Sequence, residues 1–138
     1  MRRLIVVGML LLVVGLTACS GGETDDVRTI DVTMTDDLRY TPDELSVSAG
    51  ETVRFVIRNA GASVHEFLVG TAEEQAVFAQ EMADGHGGGH ADDAGVSVDP
   101  AETAEFSYTF DVPGDVLIGC HEPGHYDGGM VGMVRVES

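Results

Sequence analysis

Cys120-His121-Glu122-Pro123-Gly124-His125-Tyr126-Asp127-Gly128-Gly129-Met130 is the stretch from which the rest of the chain is best read. Cys120, His125 and Met130 form a C-x4-H-x4-M array, so a thiol, an imidazole and a thioether fall within one short loop. Pro123-Gly124 can turn the chain back after Cys120, which lets His125 face the same point. Gly128-Gly129 permits a second tight approach before Met130.

Outward from this loop the chain reads as short strands. Val116-Leu117-Ile118 is an apolar run typical of a central strand, and Met130 to Val136 closes the chain as a last strand. Glu102 to Phe110 alternates, with Ala104, Phe106, Tyr108 and Phe110 on one face. Thr29 to Met34, Leu45 to Ala49, Val53 to Arg58 and Val64 to Val69 are further strand candidates, separated by Gly50-Glu51 and Asn59-Ala60-Gly61. The period changes once. Thr71-Ala72-Glu73-Glu74 has the form of a capping box, and Val77, Phe78 and Met82 follow at helical spacing before Gly85. The fold class expected is all-β, a Greek-key β-sandwich with one short helix inserted around residues 71–84. The aliphatic composition agrees, with no Trp and eight aromatic residues in 138.

Two strands of a sandwich can bring His65, 55 residues upstream, beside Cys120. The set then holds two imidazoles, one thiolate and one thioether. Soft sulfur ligands favour Cu(I), while imidazole accepts Cu(I) or Cu(II), and trigonal His₂Cys with a weak axial Met is the ligand set of a type 1 copper site. A lone thiol with a thioether is a poor structural zinc site, which shows closed Cys/His groups instead. A binuclear copper centre needs a second cysteine in the loop. A multicopper oxidase needs histidines on both sides of the cysteine, where Gly119 stands, and a longer chain. Cysteine catalysis has no orienting third group in view, so the chain is not expected to be an enzyme.

Tyr40-Thr41-Pro42…Leu45…Val47…Gly50-Glu51…Val53…Phe55, then Asn59…His65 and the loop from Cys120 to Met130, resemble the cupredoxins, the plastocyanin and azurin family of small blue copper proteins. The likeness spans most of residues 27–138. More narrowly, His65-Glu66-Phe67 with Pro-Gly-His-Tyr…Gly-Met resembles a bacterial group of secreted copper-binding cupredoxin-like proteins. The resemblance implies one copper per chain, held by His65, Cys120, His125 and Met130. Many of these proteins have Asn or Ser directly after the first ligand histidine, tying the ligand loops together by hydrogen bonds. Glu66 stands there instead. A carboxylate near copper would favour Cu(II), lower the potential, or itself ligate, since outer groups tune a metal. His121 is expected to point away from the metal, as a neighbour of the site or a surface group.

The first residues read as an address. Arg2 and Arg3 precede a 13-residue apolar run from Leu4 to Leu16, too short for a transmembrane helix and suited to a secretory signal. Leu16-Thr17-Ala18-Cys19 resembles a bacterial lipobox, which implies cleavage before Cys19 and its acylation. Residues 1–18 are then the signal peptide, 19–26 the lipidated cysteine and a polar tether, and 27–138 the folded domain. Cys120 is left as the single thiol of an oxidising compartment, where it is buried and inert, reactive, or tied to a metal. The expected location is extracytoplasmic, on the outer face of a plasma membrane or in a periplasm, touching the bilayer through lipid alone.

The formal charge is −17, from seven Arg, no Lys and 24 acidic residues. Loss of residues 1–18 removes two arginines and no acid, leaving −19. Nucleic acid is excluded as a partner for want of a basic stripe. A monomer is expected, with a redox protein partner of basic face and salt-sensitive association. Between helix and strand, Gly85-His86-Gly87-Gly88-Gly89-His90 offers His86 and His90 as a second metal site. The function expected is a one-electron carrier; the alternative is a copper-handling protein (carrier, storage or resistance) that captures ions at the His86/His90 loop.

Overall fold

The computed structural model describes residues 27–85 and 94–138. The expected signal peptide and tether, Cys19 and the candidate pair His86 and His90 lie outside the described residues. The chain runs β1 (Arg28–Thr35), β2 (Arg39–Thr41), β3 (Glu44–Ser48), β4 (Glu51–Asn59), β5 (His65–Gly70), α1 (Ala72–Ala83), β6 (Gly95–Val98), β7 (Thr103–Phe110), β8 (Gly114–Gly119) and β9 (Val131–Glu137). One sheet has the order β2-β1-β4-β7 and the other β3-β9-β8-β5-β6. Both are mixed: β1 pairs parallel with β4 and β3 parallel with β9, while the other pairs are antiparallel. Among the described residues no helix is long and apolar enough to cross a membrane.

Alternation decides which side chains meet between the sheets. Val53, Phe55 and Ile57 of β4 are buried, whereas Arg54 and Arg58 between them are exposed. Val134 and Val136 of β9 do the same around Arg135. Phe55 and Phe67 bridge the two sheets with ring centroids 5.0 Å apart, and Phe106 reaches Phe67 at 6.5 Å. Each such fully buried side chain contributes about 1.5–3 kcal/mol relative to exposure.

β5 departs from alternation, because all six of its residues are buried. Phe67 and Val69 enter the core. The opposite face lies under α1, where the side-chain amide Nε2 of Gln75 donates to the carbonyls of Leu68 (2.9 Å) and Leu117 (3.2 Å). The capping box is formed: the Glu74 backbone N–H donates to Thr71 Oγ1, and the Thr71 backbone N–H donates to Glu74 Oε2. The helix does not bury the apolar stripe its spacing suggests. Val77 is half exposed, and the buried residue is Gln75. β8 is central, between β9 and β5, as its apolar run requires.

Candidate metal centre

Three connections meet at one end of the sandwich: the β1–β2 turn, the segment between β4 and β5, and the β8–β9 loop. Each has a local cause. Glu122-Pro123-Gly124-His125 is a turn in which the His125 N–H donates to the Glu122 carbonyl (2.9 Å), with Gly124 at φ +82°. Proline at the second position and a left-handed residue at the third are the requirements of a type II turn. Met130 N–H donates to the His125 carbonyl (3.0 Å), and Cys120 N–H to the Met130 carbonyl (3.3 Å). The loop is thereby closed on itself, with Cys120, His125 and Met130 tied by their backbones.

His65 begins β5. The segment before it is braced by Asn59, fully buried, whose Nδ2 donates to the carbonyls of Ser63 (2.8 Å) and Val98 (2.9 Å). Its Oδ1 accepts the Gly61 N–H (2.9 Å). His65 Nδ1 lies 3.2 Å from His125 Nδ1, and Cys120 Sγ lies 3.3 Å from the same nitrogen. The ligand atoms of His65, Cys120 and His125 all fall within 4.8 Å of one another and could hold a metal ion. His65 and Cys120 are completely buried, while His125 keeps one edge toward solvent among exposed Pro123 and Gly124. Met130 is also completely buried, at the end of the same loop.

Burial pushes the Cys120 thiol up to about 11; the backbone N–H groups of Glu66 and Glu122 work against that shift, and the Glu66 and Glu122 carboxylates reinforce it. The thiol is therefore protonated near neutrality, with two amide donors already aimed at its sulfur. The Glu66 N–H reaches Sγ at 3.3 Å. An arriving cation that displaces the proton finds a preorganised thiolate site.

Glu66 is buried beside the ligand loop. Its Oε2 accepts the backbone N–H of His121 at 3.0 Å, and its carbonyl accepts Tyr40 Oη at 2.6 Å. The carboxylate ties the two ligand-bearing segments together, as a shorter polar side chain would, and is not among the grouped metal donors. His121 is no surface residue: it is 6% exposed, its Nε2 is 2.7 Å from Gln75 Oε1, and its ring stacks on Tyr126 at 4.6 Å. Sequence reading did not single out Gln75 or Asp36. Asp36 Oδ1 sits 3.2 Å from His65 Nε2, and the Ala62 and Ser63 N–H groups donate to its carboxylate (2.7 and 3.2 Å). The Ala62 N–H first, then the other donors, hold this carboxyl below its usual range.

Residues 8–83 match the cupredoxin-like domain family. A copper-resistant cuproprotein CopI of Rubrivivax gelatinosus is 40% identical over 109 residues, covering 79% of this chain and 66% of that protein. The protein of that name from Pseudomonas aeruginosa is 33% identical over 139 residues, covering 80% of this chain and 76% of its own length. Among solved structures, auracyanin A from Chloroflexus aurantiacus, described as a "blue" copper protein, superposes with a TM-score of 0.65 at 30% identity, covering 79% of this chain and 98% of that one. The chain belongs to the cupredoxin-like family, and its fold is the cupredoxin sandwich.

Proposed function

We propose that this chain binds one copper ion through His65, Cys120, His125 and Met130 and serves copper resistance on the extracytoplasmic side of a membrane, tethered by lipid on Cys19. The observation that carries the reading is the convergence of two imidazole nitrogens and one thiol within 4.8 Å. The donor chemistry fits copper: a buried thiol, two imidazoles and a buried thioether from the same loop suit a metal that shares nitrogen and sulfur. Bound copper supplies a one-electron couple and, when oxidised, an intense thiolate-to-metal absorption. The chain's own residues hold the ion, keep solvent from the sulfur and leave one edge of His125 open for exchange. The name of the relatives at 40% and 33% identity supports resistance over electron carriage.

The second reading, a one-electron carrier with a basic-faced redox partner, draws support from the likeness to auracyanin A. Growth of the source organism lacking this gene separates the two. Resistance predicts a defect confined to high copper, restored by the wild-type gene and not by Cys120→Ser. A carrier predicts a respiratory or photosynthetic defect that does not depend on added copper.

A further inference from the structure

We propose that Asp36 is a positioning residue that holds His65 in the tautomer with its proton on Nε2, leaving the Nδ1 lone pair for metal. The geometry is unambiguous about the direction of each nitrogen. His65 Nδ1 faces His125 Nδ1 at 3.2 Å, and Nε2 faces Asp36 Oδ1 at 3.2 Å. A carboxylate has no proton to give at neutral pH, so Nε2 must donate. The other nitrogen is then an acceptor, aimed where Cys120 Sγ and His125 Nδ1 converge. With Asp36 in place His65 is completely buried, so the carboxylate is the group that meets Nε2.

Asp36 is itself held by three donors from one segment. The Ala62 and Ser63 N–H groups fix its two oxygens, and His65 takes the remaining valence of Oδ1. The close approach leaves no room at Gly61, where an added Cβ would lie 2.3 Å from Asp36 Oδ1 and 3.1 Å from His65 Nε2. A carboxylate behind a ligating imidazole raises its basicity and fixes its ring, and losing such a partner costs about 10–100-fold in metal affinity. The negative charge also favours the more highly charged metal state.

The proposal deepens the copper reading, but its first test needs no metal. Long-range proton–nitrogen NMR of the metal-free full chain in detergent, at a pH where the imidazoles are neutral, reports each tautomer. The wild type and Asp36→Asn, which keeps an oxygen acceptor, are expected to hold His65 protonated on Nε2. Asp36→Ala is expected to lose that preference. An Asp36→Ala spectrum with His65 still wholly protonated on Nε2 overturns the proposal. If Asp36→Ala fails to fold, Asp36→Val, which fills the space without an acceptor, decides by the same spectrum: loss of the Nε2 preference supports the proposal, and a His65 still wholly protonated on Nε2 overturns it. Should no copper bind the wild type, the functional reading fails while the tautomer result still stands on its own.

Discussion

Cys120 is the residue on which most of the chemistry turns, and its burial makes a signed prediction. With the thiol held up near 11, copper uptake at pH 7 must expel its proton. Calorimetry in two buffers of different ionisation enthalpy should report that proton, and affinity should fall roughly tenfold per pH unit on acidification. The metal-free fold carries the same signature at the alkaline end. The thiol's contribution is intact below its ordinary value of 9.0 and is lost as the pH rises through about 11. The loss is at most about 3 kcal/mol, and denaturation of Cys120→Ala should lack it. Glu66 makes a second prediction. Its carboxylate binds the His121 N–H, so Glu66→Ala leaves a buried amide unpaired and should cost about 1–3 kcal/mol in denaturant melts, with Glu66→Gln recovering much of it. The donors of the C-x4-H-x4-M loop were legible in the sequence because they are local. Asp36 was not, since its contact with His65 joins residues 29 apart and exists only once β1 lies beside β4.

Elements were legible in proportion to their length. The eight and nine residues of β1, β4 and β7 show period-two patterns that any other structure would leave exposed. β2 has three residues and β6 four, too few for a period, and both escaped the sequence reading. Parallel pairing of β1 with β4 and of β3 with β9 also has no local signal, because it is a property of topology. The helix was announced by its capping box, yet its buried side chain is a glutamine that hydrogen-bonds two strands and His121. Hydrophobic periodicity cannot find such a residue. Gln75→Leu keeps the volume but removes the hydrogen bonds to His121 Nε2 and to the carbonyls of Leu68 and Leu117. It should destabilise the fold by about 2–4 kcal/mol in chemical denaturation, more than Val77→Ala on the exposed side of the same helix.

At the scale of the whole molecule the sandwich sets the site by bringing three connections to one end. A formal charge of −17 without a single lysine makes any encounter with a basic partner weaken steeply with added salt, measurable as an association rate falling between 50 and 500 mM on the order of the screening change. The His86/His90 loop lies outside the described residues, and its role is a matter of stoichiometry. Deleting residues 85–93 should leave one copper bound at the Cys120 centre while removing any additional, weaker equivalent. The central claim is that one copper sits on the thiolate of Cys120 between His65 and His125. The visible absorption spectrum of the chain after one equivalent of Cu(II) tests it most directly. An intense thiolate-to-copper band in the wild type, absent from Cys120→Ser, is the predicted result; copper uptake with no such band in the wild type contradicts it.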